Sequence, residues 1–314
     1  MDDGYMSYVQ GIMVTVCINI IAVCGVSILT GFTRLFSFGN AGFMSVGAYV
    51  SALLTLRAGV PLMLALCIGS VTAGAVSLLL GKLTLKLKGD YFLITTLGFG
   101  ECVRVLFNYL RPITGGAQGL SGIKQHSMLF IIVIASTVVC IFLAWMLLHS
   151  KYGRNLTAIR EQEIAAEAVG INVASSKQLA FTASAMMAGW AGGLLANYMM
   201  FITPVMFNLP RSAELTITVV IGGLGSLTGS VMASMIITLL PEIFSGMAEY
   251  KMFLYGLAVV LIIILRPNGL MGYTEFSPRG IWRWSKSLPQ KIRSIPGWFK
   301  SLPQKFKKQE VGKG

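Results

Sequence analysis

The side chains able to do chemistry in this chain are few, and most of them sit in apolar surroundings. Glu101 and Arg104 lie three residues apart in an apolar run near 91–110. On a helix that spacing puts both on one face, close enough to pair. An ionisable group in such a run marks either a functional site or an internal salt bridge that holds helices together. Gly119-Leu120-Ser121-Gly122 is a G-x-S-G match of the kind an intramembrane serine protease uses. A serine nucleophile, however, needs a base within hydrogen-bond reach. His126 shares the same polar loop and His149 ends the following apolar run, so neither histidine belongs to another span. The spacing of residues therefore yields no catalytic set and no metal-ligand set. No G-x-x-x-x-G-K-[ST] phosphate loop occurs either, and no soluble stretch is long enough to hold one. Any ATP hydrolysis would belong to another chain, and no cofactor is expected in this one.

The elements that position these residues follow from composition. Of 314 residues, 55% are hydrophobic and only 12% charged, and the mean hydropathy is +0.73. Soluble domains carry about 25% charged residues, so the solvent for most of this chain must be lipid. Apolar runs near 9–31, 36–56, 60–81, 91–110, 128–148, 179–200, 225–244 and 251–266 have roughly the length of a spanning helix, about 20 residues. A further stretch, 214–223, is apolar but short and leads into Gly222-Gly223-Leu224-Gly225. It is either a half-span or part of a helix broken at depth, which is tolerated where protein or a cavity satisfies the backbone. The expected fold is an all-α integral membrane protein, a polytopic helical bundle with about nine crossings. The short element makes Thr216, Thr218, Gly222, Gly223, Ser226 and Thr228 candidates for lining a pathway. The cysteines Cys17, Cys24, Cys67, Cys102 and Cys140 each fall in an apolar run without a C-x-x-C pair. Buried, reduced thiols acting as small hydrophobes are expected.

Charge orients the bundle. Lys82, Lys86 and Lys88 follow the third run; Lys151, Arg154, Arg160 and Lys177 flank the fifth and sixth; the tail from Tyr273 supplies +8 of the net +13. Basic residues collect on the cytoplasmic side of membrane proteins. Nine crossings put all three groups there, with the N-terminus outside and the C-terminus inside. Because the basic residues lie beside spans and not on a soluble domain, nucleic-acid binding is excluded. The acidic start, Met1-Asp2-Asp3, is unlike a cleaved signal peptide, so the first run is expected to be a retained span. Glycines concentrate at Gly39, Gly42 and Gly47, at Gly189, Gly192 and Gly193, and at Gly225 and Gly229. Small residues let helices approach closely in lipid. Asp90 suits an N-cap for the fourth run, and Glu214 is expected near the outer surface.

Between the fifth and sixth runs lies the longest polar connection of the body, 150–178. Good helix formers run from Asn155 to Val169, Glu163 and Glu167 share a face, and Gly170 follows as expected just past a helix end. The segment is either a docking surface for a cytosolic protein or a solvated connector.

Six stretches carry a resemblance. Tyr152–Val173 is similar to the coupling segment of permeases in branched-chain amino-acid ABC importers of the LivM type. Asn40–Tyr49, Lys88–Phe92 with Thr96–Glu101, Thr114–Leu120 and Ile221–Gly229 agree with the same family in the same order, and Arg266-Pro267-Asn268-Gly269-Leu270 closes the match. The resemblance covers about residues 10–272 and implies a transmembrane permease domain over 1–272 with a cytoplasmic coupling loop at 150–178. It further implies a second, related permease, two cytosolic ATPase subunits and an extracytoplasmic substrate-binding protein as partners, in the cytoplasmic membrane of a prokaryote. Arg160, Glu161, Glu163, Ala165, Ala166 and Gly170 would carry the coupling. Branched-chain amino acids are the implied substrates, with urea, amides or other amino acids as alternatives. An ion-coupled secondary transporter fits the spans too, but not the coupling-like loop or the scarcity of mid-membrane carboxylates. The basic, aromatic-containing cytoplasmic tail, 273–314, departs from the family pattern; it repeats Lys-Ser-Leu-Pro-Gln-Lys at Lys286 and Lys300 and suits either anionic lipid or solvent.

Overall fold

The computed structural model describes residues 2–87, 89–123, 128–243, 256–257, 259–260, 262, 264 and 269–272. Lys88, His126, most of the run 251–266, Arg266-Pro267-Asn268 and the tail 273–314 fall outside the described residues. Helix α1 (Asp2–Val26) runs on through a π-helical turn, Ser27–Gly31. It is followed by α2 (Asn40–Arg57), α3 (Leu62–Thr84), α4 (Asp90–Tyr109) and the single turn α5 (Arg111–Thr114). Strand β1 (Leu120–Ser121) leads to α6 (Leu129–His149), then α7 (Lys151–Glu161), α8 (Glu163–Ala168) and α9 (Val173–Met199). Strand β2 (Phe201–Ile202) pairs antiparallel with β1, Leu120 opposite Ile202, and precedes α10 (Leu209–Gly222) and α11 (Leu227–Ile243). Among the described residues, Tyr8–Gly31, α3, α6 and α9 are long and apolar enough to cross a membrane.

Contacts set the directions of the helices. Ser27 meets Ser230 at 3.2 Å and Asn19 meets Thr238 at 3.0 Å, so α1 and α11 are antiparallel. Arg211 reaches Asn19, and Val219 faces Gly31, so α10 runs parallel to α1. Gly39 lies against Thr96, Gly42 against Gly100, and Tyr49 packs on Phe107, so α2 and α4 are parallel. Down the centre, α2, α3 and α9 pack where glycines remove side chains: a Cβ on Gly47 would run into the Gly189 carbonyl, and one on Gly192 into that of Met44. Close backbone approach of this kind is how helices associate without a hydrophobic driving force between them. The large buried side chains Tyr49, Phe43, Phe181 and Phe92 fill the space beside it.

Four local expectations are corrected. The helix expected over Asn155–Val169 is two helices, α7 and α8, separated by Gln162 in an extended conformation (φ −157°, ψ 108°). The short stretch begins earlier than its apolar residues suggest, at Leu209, because Asn208 caps the helix by accepting from the Arg211 N–H. Asp90 is the first helical residue and not the cap; that position belongs to Gly89 at φ +58°. Cys24 and Cys140 are buried, but Cys67 and Cys102 are exposed, because an apolar run in lipid buries only the face turned toward other helices.

Candidate functional site

Two regions collect the residues that sequence alone singles out. The first is the connection between α6 and α9. Ser150 caps α7, accepting from the Tyr152 N–H at 3.2 Å, and Gly153 allows the chain to turn tightly over the Leu148 carbonyl. Leu156 and Ile159 are buried, which seats α7 against the bundle. Arg160 bonds Glu161 Oε1 at 2.9 Å and lies 5.9 Å over the Phe32 ring, a cation–π arrangement that fixes the end of α7 to the chain following α1.

After the break at Gln162, the Glu163 carboxylate meets Lys177 Nζ at 2.7 Å and ties α8 to the first turns of α9. Ala166 is buried, whereas Ala165 and Glu161 are exposed. The helix ends in a Schellman arrangement: the Ile171 N–H donates to Ala166 O and the Gly170 N–H to Glu167 O. Gly170 adopts φ +85° there, a left-handed conformation that glycine enters without a Cβ penalty. Of the six residues expected to couple, Arg160, Glu163, Ala166 and Gly170 hold the segment together, and Glu161 and Ala165 face outward. The segment also presents Ile164 and Val169, 79% and 77% exposed. These two were not singled out beforehand; the available signal was a pair of large aliphatic residues within a short stretch of alanine and glutamate.

The second region surrounds α10 and the break after it. At 14 residues the helix is about 21 Å long, shorter than the roughly 30 Å hydrocarbon core. Its first turn lies beside Asn19, the centre of the apolar stretch Tyr8–Gly31, and not beside either end of it. Arg211 bridges Glu214 Oε2 at 2.8 Å and Asn19 Oδ1, and Asn19 donates in turn to Thr238. Sequence reading missed this network because, although Asn19 is an amide within an apolar run, its partners Arg211 and Thr238 are remote in sequence.

The pathway candidates divide by what their hydroxyls do. Thr216 donates toward Ser37 O and Ser212 O, and Ser212 accepts from the Ala41 N–H at 2.9 Å, so α10 meets the beginning of α2 along a polar seam. Thr218 bonds back to Glu214 O. Ser226 caps α11 by accepting from the Gly229 N–H and lies 3.2 Å from the Thr228 hydroxyl. Gly222 packs on Ser230, and Gly223 (φ +113°) on Gly272. The break is thus closed by the chain's own groups, as non-helical backbone in a membrane requires. Glu101 and Arg104 form an ion pair of 2.7 Å on α4. Glu101, with Leu97 and Gly100, borders a narrow cleft against Phe38, Asn208, Leu209 and Ser212. Among the described residues no histidine stands beside Ser121, which lies in β1; His149 is at the far end of α6 and bonded to Trp145 O.

A family model described as "Branched-chain amino acid transport system / permease component" matches residues 8–265. The chain belongs to this permease family. The High-affinity branched-chain amino acid transport system permease protein LivM of Escherichia coli (strain K12) is 33% identical over 291 residues, covering 82% of this chain and 68% of the relative. The Probable branched-chain amino acid transport permease protein LivM of Methanocaldococcus jannaschii is 26% identical over 310 residues, 86% and 87% of the two chains. The Autoinducer 2 import system permease protein LsrC of Klebsiella pneumoniae is 24% identical over 202 residues, 58% and 59% of the two chains. No solved structure matches the permease. The family match takes in both regions described above, α7–α8 and α10–α11, and stops short of the basic tail.

Proposed function

We propose that this permease is the transmembrane subunit of an ATP-binding-cassette importer that moves branched-chain amino acids across the cytoplasmic membrane of a prokaryote. It would pair with a second permease of its family, receive substrate from an extracytoplasmic binding protein and be driven by two cytosolic ATPases. The observation that carries the reading is α8, a short helix anchored through Ala166 and Glu163 that turns Ile164 and Val169 into solvent. An exposed aliphatic pair on a helix seated by Ala166 and Glu163 suits insertion into a groove of a partner.

The bundle would cross nine times, with α8 and the basic ends of α3 and α6 inside. The pathway would follow the seam where the start of α10 meets α2 and α4, with Thr216 lining it and Arg211–Glu214 and Glu101–Arg104 flanking it at depth. Thr218, Gly222, Gly223, Ser226 and Thr228 would shape the broken helix that borders it. A zwitterionic, apolar substrate fits a path of this kind, mostly apolar with a few polar groups. The likeness to an autoinducer 2 permease favours, as second reading, the same architecture serving a different small solute.

The test is uptake of labelled leucine by liposomes holding this chain, its candidate partner permease and ATPases, with binding protein added. Uptake that requires both ATP and binding protein supports the importer. Leucine uptake driven by an ion gradient without ATPases would overturn it. ATPase stimulation without leucine uptake would keep the machine and replace the substrate.

A further inference from the structure

One sizeable cavity among the described residues does not belong to either region above. It is a groove of about 650 Å³ between α3, the end of α6 and the start of α9, bordered by Leu78, Leu85, Leu147, Leu179 and Met186, with Lys82 and Lys86 at one end. Gln178 lies flat over Gly81 and is held by Ser77 O and Thr182 Oγ1, so the floor is formed and does not depend on a ligand. From Ala174 to Met186 the groove follows α9 for roughly 18 Å, about the hydrocarbon depth of one leaflet, half of some 30 Å. Its polar end lies at the same end of the bundle as α7 and α8, since α6 leads directly into α7.

We infer that this groove is a binding site for an anionic phospholipid of the cytoplasmic leaflet. Both lysines are exposed, and no carboxylate occurs anywhere on α3, α6 or α9, the three helices that build the site. Two cations four residues apart, next to the Ser175 hydroxyl, are thus offered to a phosphate, while Glu163 of α8, the carboxylate beside the start of α9, is held by Lys177. Leu78, exposed to the surroundings, and the deeper Met186 offer an apolar track for an acyl chain. Basic pockets between helices on the cytoplasmic side recognise anionic head groups in this way. An uncharged transmembrane helix would fill the apolar part of the groove but leave the lysine pair uncompensated, which is why a lipid is the favoured occupant. The inference does not require the importer reading, because binding is read without transport.

The experiment is native mass spectrometry of the purified full-length permease, delipidated and then titrated with phosphatidylglycerol or phosphatidylcholine. The expected result is one retained phosphatidylglycerol, at least tenfold preferred over phosphatidylcholine, with the preference lost in Lys82→Gln/Lys86→Gln. An Ala183→Trp variant, which fills the apolar track and spares the lysines, should lower retention of the same lipid. Equal retention of the two lipids, or an unchanged preference in both variants, would overturn the site. So would a photo-crosslinker placed at Leu78 that captures a partner permease or this chain's own tail in place of lipid.

Discussion

Glu163, the first residue of α8, lies 2.7 Å from Lys177 in the opening turns of α9. A contact fourteen positions apart in sequence thereby converts a polar connection into a rigid bracket. Its Lys177 end is buried and its Glu163 end is half exposed, so the bracket joins the bundle to the surface that α8 presents. Motion of α8 would be passed to α9, which packs along α2 and α3.

The first prediction concerns that surface. Ile164→Asp should weaken retention of the ATPases by about 2 kcal/mol, the scale of an interface hot spot, or roughly thirtyfold in affinity. Fold should be untouched because the side chain is solvent-exposed. Co-purification followed by an unfolding curve of the permease checks both halves. Retention equal to wild type would remove Ile164 from the interface.

Glu163→Gln should behave differently. It removes the ion pair but leaves Ile164 and Val169 in place, so the ATPases should still bind while uptake per ATP hydrolysed falls. The ratio of leucine transported to phosphate released, measured in liposomes, separates the two effects. An unchanged ratio would mean that the bracket is not needed to transmit motion.

Arg211 and Glu214 offer a test by double substitution. Arg211→Ala strands a half-buried carboxylate, and Glu214→Ala leaves the cation with Asn19 but no counter-charge; an uncompensated buried charge is destabilising. Each single variant should therefore lower thermal stability more than half the loss seen in Arg211→Ala/Glu214→Ala, with a coupling of roughly 1–3 kcal/mol. Strict additivity would mean that the two charges act separately.

Gly47→Val should be among the most damaging single changes in the bundle. Its Cβ would enter the Gly189 backbone, and backbone cannot rotate away as a side chain can. Overpacking costs about 1–3 kcal/mol and at times more. Loss of the folded fraction in detergent chromatography is expected, while Gly98→Val, where the added atom meets nothing, should be tolerated.

Thiol chemistry reports the faces of the helices directly. A lipid-soluble maleimide should label Cys67 and Cys102 in the purified permease and spare Cys24 and Cys140 until denaturation, following their exposure. Peptide mapping reads the sites. Labelling of Cys24 in the folded chain would contradict its burial in α1.

What could be read from the order of residues were properties that accumulate locally. Hydropathy adds along a run, so the membrane class and the long helices α1, α3, α6 and α9 were legible; charge adds along a connection, so one end of the bundle was marked by Lys82, Lys86 and Lys151. Gly170 was legible as a helix stop because its backbone conformation is a property of one residue. The family, too, rests on local stretches. Tertiary structure alone decided which face of each helix meets protein. It put Cys102 outside and Cys140 inside, turned Ser226 into a cap, and brought Arg211 to Asn19 from 192 positions away. It also broke α7 from α8 at Gln162 and left Ile164 in solvent. A helix repeats every 3.6 residues on all sides, and when every side is apolar the periodicity that would reveal the buried face disappears; only the neighbours that pack against it choose.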